Sequence, residues 1–336
     1  MAREPSEVKH MKQSNQQRAF RAFILFAAAC IGMLLAGCFG QIGSEGPNKS
    51  VATMRIAAVL PLGTSHYWEG IQSGLMSGAE GLDVDVKISV PKSPFDIPQM
   101  VELIKAATAA RVDAIVAQGS DDPQYIEALR DASGEGILIA FVDTDITGFS
   151  EHLYVGTDNY GAGLFMAEKL VEATDGRTDV AVLLGGEGFP NLDLRLEGIR
   201  DGIAGKDGVR LAAVRRTNFD MLATIEIYRD ILREEPSVDA IVCLDGSGGA
   251  AFSSAIGPSD ASSMKIICFD MSKDVKKAIR DGVIHGAVVQ SQVEMGEKAI
   301  QELHRCFTGD ESLPGAVYTD IFFFTAAELE DQADEP

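Results

Sequence analysis

The chain has 336 residues, 46% of them hydrophobic, with 29 basic against 50 acidic side chains and a formal charge of -21. A length and apolar fraction of this size favour about two domains with ordinary cores, which excludes a disordered chain and a small disulfide scaffold. The acidic excess repels a nucleic-acid backbone at long range and excludes that class of partner.

The first feature in chain order is Arg18 and Arg21 ahead of an apolar run over residues 22–37, which ends Leu35-Ala36-Gly37-Cys38. A charged flank, a short apolar core and small residues before a cut site describe an export signal. The run of about 16 residues falls short of the roughly 20 needed to cross a bilayer. Its ending resembles the bacterial lipobox, which implies removal of residues 1–37 and lipidation of Cys38; Met11 as the start would shorten the leader without changing this. Several acyl chains on one cysteine supply the paired signals that stable anchoring requires. Residues 38–53 then form the lipidated cysteine and a flexible tether rich in Gly, Ser, Asn and Pro. Among the remaining cysteines, Cys243 and Cys268 lie in apolar runs and act as small hydrophobes, and with Cys306 they show neither a disulfide framework nor zinc spacing.

From Arg55 onward short β-branched runs alternate with helical stretches. Strands are predicted at 55–60, 85–90, 113–118, 136–142 and 153–156, and a second series at 179–185, 209–214, 240–244, 265–269 and 286–290. Apolar residues at spacings of three and four mark amphipathic helices at 98–110 and 159–173. Continuous apolar strands separated by such helices predict parallel sheets covered on both faces, and their number predicts an α/β fold of two lobes.

Ligands of open α/β sheets sit beyond the carboxyl ends of the strands. Those ends carry Tyr67, Trp68, Asp143, Arg195, Phe219, Asp245, Asp270 and Gln290. Carboxylates, an amide, a guanidinium fork and flat aromatic walls are the inventory a polyhydroxylated ligand needs. Simpler readings stand beside this one. Trp68 could head a core stripe with Ile71 and Leu75, and the three aspartates could cap helices. Arg195 flanks the buried stripe of Leu192, Leu196, Ile199 and Ile203, so its guanidinium needs either a structural acceptor or a ligand. The glycines at 185, 186 and 188 match no phosphate loop and read as turn chemistry. The five histidines have no zinc-ligand spacing and residues 245–249 form no nucleophile elbow, so neither enzyme, cofactor nor metal is expected.

Residues 64–74, 155–170, 191–199, 218–220, 268–270 and 287–291 resemble, in order, segments of the type I periplasmic sugar-binding proteins of the ribose-binding kind that serve ABC importers. The resemblance runs from about Arg55 to Thr325. It implies two Rossmann-like lobes joined by a three-crossing hinge, with 54–157 plus 291–318 in the N-terminal lobe and 158–290 plus 319–330 in the C-terminal lobe. It also implies ligand contacts at Tyr67, Trp68, Asp143, Arg195, Phe219, Asp245, Asp270 and Gln290, with Ser65 where ribose binders carry asparagine. Two departures, Thr144 for an arginine and Asp245 for an asparagine, remove donors and add an acceptor, which points from ribose toward another sugar or a more donor-rich or cationic compound. The expectation is a lipid-anchored, extracytoplasmic, monomeric receptor that passes a monosaccharide or polyol to ABC permease subunits. The alternative is a sensing subunit that presents its closed form to a membrane kinase or chemoreceptor. A sugar-responsive repressor would need a DNA-binding module where the leader stands. Alanine at Asp270 or Arg195 is expected to abolish binding and leave the fold intact.

Overall fold

The structure, a computed structural model, describes residues 53–255, 264–309 and 312–331; the expected leader, Cys38 and the tether to residue 52 lie outside the described residues. The first stretch runs β1 (Met54–Val59), α1 (His66–Ala79), β2 (Val84–Ser89), α2 (Ile97–Ala109), β3 (Ala114–Gln118), α3 (Pro123–Gly134), β4 (Leu138–Val142) and β5 (Leu153–Gly156). The second runs α4 (Asn159–Ala173), β6 (Thr178–Leu184), α5 (Pro190–Ile203), β7 (Val209–Arg216), α6 (Met221–Glu234), β8 (Val238–Cys243), α7 (Gly246–Ala255), β9 (Lys265–Phe269), α8 (Lys273–Arg280) and β10 (Gly286–Gln290). The described chain closes with α9 (Gln292–Thr308), β11 (Ala316–Tyr318), β12 (Ile321–Phe324) and α10 (Ala326–Asp331).

Local chemistry explains these boundaries. Ser65, Asp96, Asp122, Asp158, Asp220 and Ser272 precede helices and accept backbone amides of the first turn. Pro123 and Pro190 occupy first-turn positions, where a missing N–H costs nothing. All of β3 is buried, as a central strand covered on both faces must be.

Two six-stranded sheets result, ordered β11-β5-β4-β3-β1-β2 and β12-β10-β9-β8-β6-β7. Each has an apolar layer on both faces: one around Ile71, Val116 and Met295 and another around Ile104, Ile139 and Phe141 in the first lobe, then one around Ile241 and Phe252 and another around Val182 and Phe269 in the second. The chain leaves the first sheet after β5, returns through α9, which packs on α1, and crosses again between β11 and β12. One pairing departs from the parallel expectation, because β12 runs antiparallel to β10. The reason is geometric: β11 lies parallel to β5 and so ends at the cleft, and a link of two residues, Thr319 and Asp320, leaves β12 to start there and run away from it.

Candidate ligand-binding site

The carboxyl ends of both sheets open onto one cavity of about 720 Å³. The first lobe contributes Ser65, Tyr67 and Trp68 from the start of α1, Phe95, Gln118 at the end of β3 and Asp143 after β4; the second contributes Phe189, Arg195, Phe219, Asp245 and Asp270, and Gln290 closes the floor. A similar volume, about 740 Å³, lies at the opposite end of the first sheet, away from the carboxyl ends of the strands, and its lining includes Arg111, Asp113, Glu135 and Phe307.

Asp143 and Asp270 occupy equivalent places, each one residue beyond the fourth strand of its lobe. Each has a left-handed backbone, φ 68° and 64°, and each donates its amide to the neighbouring strand, to the carbonyls of Val155 and Val288. Phe95, Asn218 and Phe219 share this conformation, so five of the eight non-glycine residues with positive φ among the described residues line the cavity. Such backbone is costly outside Gly, Asn and Asp and concentrates where a side chain must be aimed.

The carboxylates are held differently. Asp143 accepts three donors: Tyr67 Oη at 2.5 Å, Gln118 Nε2 at 2.8 Å and Thr144 Oγ1 at 2.7 Å. Asp245 accepts the Ser247 amide at 2.9 Å together with the Ser247 hydroxyl, which is the capping role expected for it, since it directly precedes α7. The capping expectation fails for the other two. No helix follows Asp143 before β5, and α8 is capped by Ser272 rather than by Asp270. Among the described residues Asp270 accepts one donor, Gln290 Nε2 at 3.0 Å on Oδ1. Burial pushes Asp270 up to about 6; Arg195 and Gln290 oppose the shift, and Asp143 and Asp245 add to it. Burial also raises Asp245 above the usual carboxylate range and Tyr67 above the usual phenol range.

Arg195 is 2% exposed and ties the floor together. Its Nε donates to Asn159 Oδ1 at 2.8 Å, Nη1 to the Leu244 carbonyl at 2.9 Å and Nη2 to Gln290 Oε1 at 2.8 Å, and the guanidinium lies 3.9 Å from the Phe269 ring centre. Gln290 Oε1 also accepts Thr157 Oγ1 at 2.8 Å, so one amide links the segments on either side of two chain crossings. Alanine at 195 would leave Asn159 Oδ1 and the Leu244 carbonyl without this donor and Gln290 Oε1 with Thr157, which argues against the expectation that the fold stays intact.

The cavity therefore brings together Ser65, Tyr67, Trp68, Asp143, Arg195, Phe219, Asp245, Asp270 and Gln290. Thr144 does not join them: it is 0% exposed and sits behind Asp143, held by Asp143 and Gln118. Ser65 borders the cavity while its hydroxyl accepts the Trp68 amide at 3.2 Å as the cap of α1. Trp68 serves both roles weighed for it, packing into the core with Ile71 and Leu75 and facing the cavity.

Gln118, Phe95 and Phe189 are among the contributors that escape the sequence reading. Gln118 ends β3 as Asp143 follows β4, and the strand-end rule extended to every strand would have found it. Phe95 and Phe189 sit in irregular loops without periodicity. Phe95 of the first lobe stacks on Phe219 of the second with centroids 5.6 Å apart and planes at 10°, and Phe189 meets Phe219 edge-on at 4.9 Å. Gly185 makes room for this cluster, since any Cβ there would collide with the Phe219 ring.

A family model described as a periplasmic binding protein domain matches residues 56–311. The D-apiose import binding protein of Paraburkholderia graminis is 22% identical over 300 residues, covering 88% of this chain and 92% of that protein. Among solved structures, GanP, a glucose-galactose binding protein from Geobacillus stearothermophilus, superimposes with a TM-score of 0.78 at 25% identity, covering 82% of this chain and 99% of that one. An ABC transporter solute binding protein from Burkholderia graminis C4D1M in complex with D-arabinose gives 0.77 at 24% identity, covering 86% and 99%.

Proposed function

The chain belongs to the periplasmic binding protein family, in its type I sugar-binding form, and on that premise we propose that it is an extracytoplasmic, lipid-anchored receptor which captures a sugar or polyol between its lobes and delivers it to an ABC permease. One observation carries the reading: the strand ends of both lobes converge on a single cavity whose walls are aromatic and whose floor is a hydrogen-bonded set of carboxylates, amide and guanidinium. Sugars present hydroxyls that donate and accept in pairs above patches of C–H surface, and this lining complements both. The relatives support the substrate class, being named for apiose, for glucose and galactose, and for an arabinose complex.

The lobes, 54–157 plus 291–318 and 158–290 plus 319–330, would close about hinges near 157, 290 and 318. A ligand then stabilises the closed form only by what it gains from both lobes at once. Cys38 would carry the acyl chains, with the tether giving the lobes reach from the membrane. A monomer suffices, because each cleft is complete within one chain.

Calorimetric and thermal-shift titration of the purified protein with pentoses, hexoses and polyols tests the proposal, since a ligand selective for the native state raises its melting midpoint. At least one should bind, and Cys38→Ser should leave that binding unchanged while releasing the protein from the membrane fraction of producing cells. Binding of none of them would overturn the substrate class, and membrane retention of the variant would overturn the anchor.

A further inference from the structure

The cavity sets three carboxylates, Asp143, Asp245 and Asp270, against one guanidinium and one imidazole, that of His66, among its described lining residues. That guanidinium already serves three protein acceptors and a ring face. The stretches outside the described residues at 256–263 and 310–311 contain no Lys, Arg or His, so they add no cation to either lobe.

The three carboxylates are not equally satisfied. Asp143 has three donors and Asp245 is bonded at the start of α7, whereas Oδ2 of Asp270 receives no hydrogen bond from a described residue. Asp245 and Asp270 stand side by side, two residues beyond the register pair Cys243 and Cys268 in the first case and after the same pair in the second. Gly246 keeps the space beside Asp270 Oδ2 open, since a Cβ there would come within 3.1 Å of that oxygen. Among the described residues no group of three or more His, Cys, Asp or Glu is placed to hold a metal ion. Tyr67, Trp68 and Phe219 add ring faces, which attract cations as well as C–H surface.

We infer that the ligand of this cleft is an amine-bearing sugar or polyol, its ammonium placed against Asp270 and Asp245 and its hydroxyl-bearing carbons against the aromatic walls. A neutral sugar can donate hydroxyls to these oxygens but leaves the buried charge uncompensated; an ammonium brings three donors and the opposite charge. The upward shift of the Asp270 carboxyl, caused first by burial and deepened by Asp143 and Asp245, persists although Arg195 opposes it, which fits a site with carboxylate charge in excess of its one guanidinium. This inference rests on the cleft being the binding site for a sugar-like molecule.

The test is isothermal titration of the purified protein at pH 7.5 with pairs that differ by one group: D-galactosamine and D-galactose, D-glucosamine and D-glucose, 1-amino-1-deoxy-D-sorbitol and D-sorbitol. At least one amine should bind about tenfold or more tightly than its hydroxyl partner, as expected for a desolvated charge pair. That preference should fall severalfold in Asp270→Asn and in Asp245→Asn, with folding of each verified by its melting transition. Asparagine accepts the left-handed backbone at 270, and if one variant fails to fold the other decides the assignment. Equal or tighter binding of the neutral partners overturns the inference and leaves the sugar-binding reading standing. A preference that survives in the folded variants overturns the placement of the ammonium. Absence of binding by every compound overturns the inference, and the wider titration with pentoses, hexoses and polyols then decides the sugar-binding reading.

Discussion

Asp270 shows how much a single side chain can be asked to bear. Its carboxyl moves from 3.8 to about 6, so ionising it in the folded protein costs up to about 3 kcal/mol at neutral pH. With the folded value above the unfolded one, the folded state binds the extra proton between about 4 and 6. The stability linked to this group is therefore complete below that window and lost as pH rises through it. Asp270→Asn abolishes the titration. In urea unfolding of the ligand-free protein the variant should be more stable than the parent at pH 7.5, and its advantage should shrink by about 1 kcal/mol at pH 5. A pH-independent difference would sink the assignment. The sequence reading placed this residue correctly at a strand end and named capping as its simpler role. What it could not supply is that the backbone turns left-handed at 270, which aims the carboxylate into the cavity instead of down the following helix. Arg195 is the mirror case: the sequence posed a structural acceptor or a ligand, and the three protein acceptors show the structural role directly.

Helices and strands were legible because their apolar periods differ, and α4 has the bounds its spacing predicts, Asn159–Ala173. The way helices dock was not legible, since it depends on where small residues from distant segments meet. In the first lobe Gly74 and Gly78 of α1 lie against the backbone of Val293 and Glu297 in α9; in the second, Gly163 of α4 and Gly198 of α5 bring their main chains together. A Cβ at 74 would stand 2.8 Å from the Val293 carbonyl carbon, and one at 163 would stand 2.9 Å from the Gly198 Cα. These are main-chain atoms that cannot step aside, so the helices must separate. Gly74→Ala and Gly163→Ala should each destabilise by about 2 kcal/mol and lower the melting temperature by about 4–8 °C. Gly134→Ala is the control, because nothing lies within 4 Å of its added methyl, and it should be neutral or slightly stabilising. Equal melting temperatures for all three would show that the helix pairs tolerate spreading.

At the scale of the whole molecule, the Phe95–Phe219 stack joins the two lobes on the cavity wall. The chain has 1 tryptophan, Trp68, and it touches both core and cavity, so its fluorescence reports occupancy without a label. Phe95→Ala removes the stack while leaving Asp143, Asp270 and Arg195 in place. Stopped-flow fluorescence with a ligand identified by calorimetry should show release faster by about fivefold and association changed little, since an aromatic pair is worth about 1 kcal/mol and affinity changes fall mostly on the off-rate. Unchanged release would remove this pair from the closure mechanism.

The order in which the sheets are completed has a consequence for synthesis. β11 and β12 are separated by two residues, yet one edges the first sheet and the other edges the second. Until residues 316–324 have left the ribosome and, on the proposed route, crossed the membrane, the nascent chain holds two unfinished sheets with an open edge apiece, the kind of surface that invites mispairing. The pairings of β11 with β5 and of β12 with β10 thus become available together, once residue 324 has emerged, and the two lobes are completed as one event rather than in sequence.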